Sequence, residues 1–297
     1  MPPPAPALEL AGVSRRYRAG VPGCAAEVAA LDGVTLSVAH GECVGIAGVA
    51  GAGKTTLLLC AAGLLPPESG SVRGVRAAFV SAHGGAHPFL SIRASLDFAG
   101  TMRELAGNDE PPDVEGVIAR AGLAEVAGFR VGQLGAGMRA QATLAHALLE
   151  VPGLLCLDDP LGALDGAERL RYAGLLDALR ADGLAVLVAS RDAAPLEAIG
   201  ARVITLDAGR IVARTRPERT LELDVRMPRQ AATALSDRIP SVHRSGRALR
   251  VPLERISAEE VLSACLSLGI SVSGSRVITS TAGGRVAEKL PPTGPIP

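Results

Sequence analysis

A glycine-rich segment followed by Lys54, Thr55 and Thr56 has the clearest chemistry in this sequence. From Gly48 to Thr55 it reads G-V-A-G-A-G-K-T, which fits the phosphate-loop pattern G-x-x-x-x-G-K-[ST]. An apolar strand precedes the segment and an apolar helix follows it, as the pattern requires, which argues against a chance Gly-Ala loop. The predicted nucleotide-binding residues are Gly48, Val49, Ala50, Gly51, Ala52, Gly53, Lys54, Thr55 and Thr56.

Each part of this segment suits a nucleoside triphosphate bound with Mg²⁺. Glycines let backbone N–H groups converge on an anion, and the positive end of the helix points at the same place. Lys54 would reach the outer phosphates, and the Thr55 hydroxyl would bind Mg²⁺.

Two carboxylates, Asp158 and Asp159, stand at the end of the apolar strand 154–157. Carboxylates at the end of a buried strand are costly unless they bind something positive. Phosphate-loop proteins use an acidic residue at this place as their second magnesium anchor. We therefore expect Asp158 to hold the metal with Thr55, and Asp159 to polarise a water molecule.

Three further features carry weaker signals. Tyr17 follows the first predicted strand, Leu8 to Val13, and either stacks on adenine or simply packs within the protein. The turn L-G-A-G-M, from Leu134 to Met138, leads into a helix predicted over Arg139 to Leu149. A metal site at His83 and His87 is not favoured, because no third ligand is nearby.

The elements that must position these residues alternate between strands and helices as far as Val212. This order predicts an α/β fold with a mostly parallel sheet, and a helical subdomain is expected at about 88–150. From Leu221 to Ser273 the order changes to β-α-β-β-α-β, with its last strand predicted at 270–273, which predicts a small ferredoxin-like α+β domain. The expected organisation is a disordered tail at 1–6, a nucleotide-binding domain at 7–216, an accessory domain at 220–289 and a disordered tail at 290–297.

Composition excludes several classes of function. The chain carries 30 Lys and Arg against 30 Asp and Glu, with no long basic run, so no nucleic-acid partner is expected. No apolar run approaches the roughly 18 residues of a membrane helix, which predicts a soluble, cytoplasmic chain. The five cysteines are scattered and mostly lie in apolar segments, as expected of core residues in a reducing compartment.

Over about Leu8 to Arg216 the chain resembles the nucleotide-binding subunit of an ATP-binding cassette (ABC) transporter, a P-loop NTPase. The resemblance rests on the order and spacing of the phosphate loop, the L-G-A-G-M turn where the family has L-S-G-G-Q, the L-C-L-D-D-P strand and the L-G-A-L-D loop. It implies ATP and Mg²⁺ as ligands and Tyr17 as the residue that stacks on adenine.

The resemblance also implies partners. In this family two subunits enclose two ATP molecules, each held by one subunit's phosphate loop and the other's signature turn, and closure moves separate transmembrane subunits. A homodimer or a heterodimer at the inner face of the cell membrane is therefore expected. The tail resembles the accessory domain of some exporter ATPases. The residues implied to act on the partner's ATP are Leu134, Gly135, Ala136, Gly137 and Met138.

Several family positions are altered. Ala82 stands where the family has a glutamine that contacts Mg²⁺, Asp159 replaces a glutamate and Arg191 replaces a histidine. The signature turn has Gly135 in place of serine and Ala136 in place of glycine. We therefore predict retained ATP binding with weak hydrolysis that depends on Asp159 and Arg191.

Three functions fit this pattern. The first is an ATP-binding subunit of an exporter with slow hydrolysis. The second is a regulatory or scaffold subunit that senses ATP and does not hydrolyse it. The third, a small-molecule kinase, lacks support beyond the phosphate loop.

Overall fold

The computed structural model describes residues 5–19, 26–81, 87–106, 113–215, 218–236, 238–239, 241–245, 248–253, 258–281 and 284–289. The chain divides into two compact units, Met1–Thr215 and Arg216–Pro297. Within the described ranges, no helix is both long and apolar enough to cross a bilayer.

The described part of the first unit contains nine strands and six α-helices. In chain order they are β1 (Leu8–Ala19), β2 (Ala26–Val38), β3 (Cys43–Ala47), α1 (Lys54–Ala61), β4 (Ser69–Gly74), β5 (Ala77–Val80), α2 (Ile92–Leu105), α3 (Val114–Arg120), α4 (Ala136–Leu148), β6 (Leu154–Asp158), α5 (Gly166–Ala181), β7 (Ala185–Ser190), α6 (Ala193–Ala198), β8 (Arg202–Asp207) and β9 (Arg210–Thr215).

The central sheet has the strand order β5-β6-β7-β3-β8-β9. Its first five strands are parallel, and β9 closes the edge as an antiparallel hairpin with β8. Every residue of β3 and β7 is buried, which is typical of strands covered on both faces. In β3, for example, Val44 and Ile46 pack on the side of β1, β2 and α1, whereas Cys43 and Ala47 pack on the side of the other helices.

The carboxyl ends of three parallel strands meet at one edge of this sheet. Ala47 at the end of β3 is in register with Ser190 at the end of β7, and Ala189 is in register with Asp158 at the end of β6. In open α/β sheets, ligands bind outside the carboxyl ends of the strands. The phosphate loop, Asp159 and Arg191 follow these ends, and Asp158 is the last residue of β6.

A second, antiparallel sheet has the order β2-β1-β4. The prediction that the first strand ends at Val13 was wrong, because pairing with β2 extends β1 to Ala19 and places Tyr17 inside it. Strand β4 was not predicted: its sequence S-G-S-V-R-G lacks an apolar alternation, and its residues are mostly exposed. Pairing with β1 is what makes it a strand.

Helices α2, α3 and α4 form the helical subdomain, and the α/β fold with this subdomain is confirmed. Ser91 caps α2 by accepting a hydrogen bond from the Ala94 N–H at 3.1 Å. Helix α4 begins at Ala136, three residues before its predicted start, so the last three residues of the L-G-A-G-M turn belong to the first turn of the helix.

The C-terminal unit is a separate α+β domain. Its elements are β10 (Glu218–Val225), α7 (Pro228–Ser236), β11 (His243–Ser245), β12 (Ala248–Pro252), α8 (Ala258–Ser267), β13 (Val272–Thr281) and β14 (Gly284–Lys289). The sheet order is β11-β12-β10-β13-β14, so the predicted β-α-β-β-α-β arrangement is present. The boundaries predicted for its last strand, 270–273, were wrong: β13 starts and ends later, and the hairpin strand β14 was not predicted.

One face of the C-terminal sheet carries the apolar core, which includes Leu221 and Leu223. Glu222 lies between them in β10 and is nevertheless 4% exposed. Arg250 Nε donates to Glu222 Oε2 at 2.7 Å, and Arg276 Nε donates to Oε1 at 2.9 Å. Burial by itself raises the pKa of Glu222, but the hydrogen bonds from the two arginines outweigh it, so this pKa is lowered overall.

Candidate functional site

The phosphate loop connects β3 to α1 and is pressed against neighbouring backbone at two glycines. A Cβ atom at Gly48 would lie 2.3 Å from the Leu206 carbonyl oxygen, and one at Gly53 would lie 2.1 Å from the Ala30 carbonyl oxygen. Gly53 also has φ of 102°, a left-handed conformation that favours glycine. The two glycines therefore fix the path of the loop against β8 and β2.

Lys54 lies across this loop. Its Nζ donates hydrogen bonds to the carbonyl oxygens of Gly48 at 2.6 Å and Val49 at 2.8 Å. Burial lowers the pKa of Lys54, Arg191 adds to this effect, and Asp158 and Asp159 oppose it. Lys54 therefore interacts electrostatically with the predicted metal ligand Asp158 and with the predicted catalytic residues Asp159 and Arg191.

Thr55 and Asp158, the two predicted magnesium ligands, are in direct contact. Thr55 Oγ1 donates to Asp158 Oδ2 at 2.7 Å, although 103 positions separate the two residues. A hydroxyl and a carboxylate fit Mg²⁺, which is usually bound by one or two protein oxygens together with water and substrate phosphates. Among the described residues no group of three or more His, Cys, Asp or Glu side chains is placed to hold a metal ion.

Asp159 and Arg191 line one cleft of about 480 Å³ at the carboxyl edge of the sheet. Asp159 has φ of 49°, and its N–H donates to the Ala189 carbonyl oxygen at 3.0 Å. A Cβ atom at Gly162 would be 3.0 Å from Asp159 Oδ2 and 3.1 Å from Oδ1. The Asp159 carboxylate therefore rests on the L-G-A-L-D loop.

Tyr17 lies beside the first turn of α1. Its hydroxyl oxygen is 3.5 Å from Thr56 Oγ1, and 41% of the residue is exposed. The Arg15 guanidinium lies 5.6 Å from the centroid of the Tyr17 ring. Sequence reasoning missed Arg15, although its position two residues before Tyr17 in a strand puts both side chains on one face.

The signature turn forms the N-terminus of α4. Gly135 occupies the N-cap position and supplies no side-chain hydrogen bond. Leu134 is buried, whereas Met138 is 44% exposed. The Gly137 N–H donates to Glu168 Oε1 at 3.0 Å. Sequence reasoning missed Glu168, although the spacing Asp165-x-x-Glu168 was a usable capping-box signal.

A group of exposed apolar side chains lies in and around the helical subdomain. We call it the phenylalanine surface, because it holds three of the four phenylalanines in the chain. The Ile92 N–H donates to the Phe129 carbonyl oxygen at 3.1 Å, which holds the segment around Phe129 beside the start of α2. The members and their exposed fractions are Phe89 (76%), Phe98 (59%), Met102 (44%), Leu105 (76%) and Phe129 (56%).

Two positions considered from sequence, Ala82 and His83, fall outside the described residues. Of the predicted site residues that are described, the structure brings together Lys54, Thr55 and Asp158. Asp159 and Arg191 lie beside them. The signature turn lies at the start of a different helix, α4.

Comparisons with known proteins agree with this geometry. A family model described as "ABC transporter" matches residues 31–162. The chain is 34% identical over 209 residues to the aliphatic sulfonates import ATP-binding protein SsuB of Ralstonia nicotianae, a match that covers 69% of this chain and 71% of the relative.

A second relative and a solved structure complete the comparison. The macrolide export ATP-binding/permease protein MacB of Rhodopseudomonas palustris is 29% identical over 305 residues, covering 95% of this chain but 46% of that protein. The solved structure of a dimeric bacterial ABC transporter cassette superposes with a TM-score of 0.60 at 24% identity, over 70% of this chain and 98% of the cassette.

Proposed function

Because this chain belongs to the family of ABC transporter ATP-binding subunits, we propose that it binds Mg-ATP, hydrolyses it slowly and thereby drives the membrane subunits of an exporter. The observation that carries the proposal is the contact between Thr55 Oγ1 and Asp158 Oδ2 at 2.7 Å, beside the Lys54 ammonium. A phosphate loop alone supports binding, whereas this pair also provides a place for the metal that phosphoryl transfer needs.

The loop residues account for binding. Backbone N–H groups and the N-terminus of α1 would neutralise phosphate charge. Lys54 would exchange its two loop carbonyl partners for phosphate oxygens, which accept stronger, charge-assisted hydrogen bonds. Mg²⁺ held by Thr55 and Asp158 would supply further positive charge on the phosphates. Tyr17 would stack on the adenine ring.

The residues around Asp159 account for slow turnover. General-base assistance contributes about 10²- to 10⁴-fold to a rate and requires hydrogen-bond reach of the attacking water. Asp159 has a short carboxylate, and that carboxylate rests on Gly162. Arg191 lines the same cleft, and its planar guanidinium would pair with the γ-phosphate.

The phenylalanine surface favours the proposal that the helical subdomain binds a partner protein. Exposed apolar patches commonly mark sites of protein–protein contact, and three of only four phenylalanines in the chain are found here. We assign this surface to the transmembrane subunits, which would place the protein at the inner face of the cell membrane.

The proposal also covers the direction of transport and the identity of the second ATPase subunit. The relatives include an import protein and an export protein. We favour export because the chain carries a separate C-terminal unit that resembles the accessory domain of some exporter ATPases. Two ATPase subunits, identical or different, would enclose ATP, with each signature turn acting on the partner's nucleotide.

Equilibrium titration of the purified full chain with Mg-ATP tests the proposal. Lys54→Ala should weaken binding by roughly 10- to 100-fold, since hydrogen bonds to charged groups contribute about 1.5–3 kcal/mol. Arg73→Ala is the matched control, because Arg73 is an exposed cation on β4 and has no place in the site. Equal affinity for wild type and Lys54→Ala, or no binding at millimolar Mg-ATP, would refute the proposal.

A subunit that senses ATP without hydrolysing it is the second candidate. The position of the short Asp159 carboxylate beside Gly162 favours it, because a general base must reach the attacking water by a hydrogen bond. Phosphate release no faster than that of Lys54→Ala, together with ATP-dependent association, would select this candidate over slow hydrolysis.

A further inference from the structure

Glu168 connects the N-termini of two helices. Its Oε2 accepts a hydrogen bond from the Asp165 N–H at 3.1 Å, which completes the capping box of α5. Its Oε1 accepts a hydrogen bond from the Gly137 N–H at 3.0 Å, in the first turn of α4. Both oxygens of one carboxylate are therefore engaged, one by each helix.

The Glu168 side chain also covers the signature turn. A Cβ atom at Gly137 would lie 3.0 Å from Glu168 Cγ, Cδ and Oε1, so a larger residue there would press on this side chain and displace it. A Cβ atom at Gly135 would lie 3.8 Å from Oε1. Gly135 contributes no capping side chain of its own, so the acceptor for the first turn of α4 comes from α5.

The Glu168 carboxylate lies at the N-terminus of α4, where an anion from another molecule would have to bind. A helix N-terminus attracts negative charge through its free N–H groups and its dipole. One of those N–H groups, at Gly137, is already bound by an anion that belongs to the chain itself. A phosphate arriving at the same turn would lose that donor and would meet a like charge, which is unfavourable at short range.

We propose that Glu168 is an internal competitor for the signature turn, which weakens closure of the ATPase pair until its carboxylate leaves Gly137. The inference rests on the proposed function, in which the turn acts on the γ-phosphate of ATP bound to a second subunit. Because Glu168 also holds the Asp165 N–H, its departure from Gly137 would move the capping contact of α5 and so couple the turn to the L-G-A-L-D loop.

A purely structural cap would behave differently. Removal of a cap destabilises a helix, so a variant would unfold more easily and would pair no better than wild type. Removal of a competitor would change stability and association in opposite directions. The folded chain would become less stable, whereas ATP-dependent association of two subunits would become stronger.

The test is sedimentation analysis of the full chain over a range of protein concentrations with Mg-ATP or Mg-ADP, alongside thermal unfolding. Glu168→Gln keeps the shape of the side chain and one carbonyl acceptor but removes the charge, and Glu168→Ala removes both. Asp113→Ala is the matched control, since Asp113 caps α3 by accepting from the Gly116 N–H at 2.8 Å, away from the signature turn, and alanine removes that cap.

We expect both Glu168 variants to lower the dissociation constant for self-association about tenfold or more with Mg-ATP, which corresponds to about 1.4 kcal/mol. Neither should change it with Mg-ADP, which has no γ-phosphate. Both should melt at a lower temperature than wild type, and Asp113→Ala should lower the melting temperature without changing association.

Unchanged or weaker association of the Glu168 variants with Mg-ATP would overturn the inference, and so would equal gains with Mg-ADP. Mg-ATP binding measured in the same samples separates this failure from that of the proposed function. If wild type binds Mg-ATP while association does not respond to Glu168, the proposed function stands and the inference falls. If wild type does not bind Mg-ATP, both fall.

Discussion

Replacement of Gly53 by alanine should damage the phosphate loop in two separable ways. First, φ of 102° is a conformation that costs a non-glycine residue about 1–3 kcal/mol. Second, the new Cβ would lie 2.1 Å from the Ala30 carbonyl oxygen, so the loop or β2 must shift, and overpacking of this kind costs about 1–3 kcal/mol. Together the two effects predict a loss of roughly 2–6 kcal/mol in the free energy of unfolding.

Gly51→Ala isolates the steric part. Gly51 also has a positive φ, of 81°, but nothing lies within 4 Å of the position that its new Cβ atom would take, so only the conformational cost applies. Gly53→Ala should therefore be less stable than Gly51→Ala by about 1–3 kcal/mol. For a unit of this size, that difference lowers the melting temperature by roughly 2–12 °C.

Circular dichroism suits the measurement, because the chain has no tryptophan. Two compact units can unfold separately, so the transition that Mg-ATP moves upward identifies the nucleotide-binding unit. Mg-ATP affinity should fall in the same order as stability, since a shifted loop no longer aims its N–H groups at phosphate. Equal melting temperatures for the two variants would refute the claim that contact with Ala30 fixes the loop.

Two further predictions concern carboxylates. Asp159→Glu should raise the rate of phosphate release about tenfold or more, because one added methylene lets the carboxylate reach beyond Gly162 into the cleft; an unchanged rate would rule out carboxylate length as the limit. In the C-terminal unit, the lowered pKa of Glu222 adds stability above the unfolded value of about 4.3 and loses it as pH falls through the folded value. Melting temperatures between pH 5 and pH 3 should therefore fall more steeply for wild type than for Glu222→Gln, and parallel curves would contradict this account.

The part of the site that the sequence predicts best is local in the chain. The loop from Gly48 to Thr55 lies between its strand and its helix as the motif requires. The proximity of Thr55 and Asp158 was also predictable, because both were expected to bind Mg²⁺ and because parallel strands bring their carboxyl ends to one edge of the sheet. The α/β order of elements and the β-α-β-β-α-β tail followed from periodicity and from turn residues.

Other features depend on pairing or packing that no local pattern encodes. Strand β4 exists because β1 pairs with it, although its own residues carry no apolar alternation. The contact of Glu168 with Gly137 joins residues 31 positions apart on two helices. The left-handed backbone of Asp159 arises where the chain leaves β6, and an aspartate at that position does not signal it.

The hairpin of β13 and β14 determines which strand lies at one edge of the C-terminal sheet. Without β14, the strand β13 would present a row of unpaired N–H and C=O groups, which is a template for adding a foreign strand. The segment 284–289 pairs with β13 and covers that row. The opposite edge, β11, is three residues long. A strand added from another chain could therefore not pair with β13 and would have to pair with β14 or with the short strand β11.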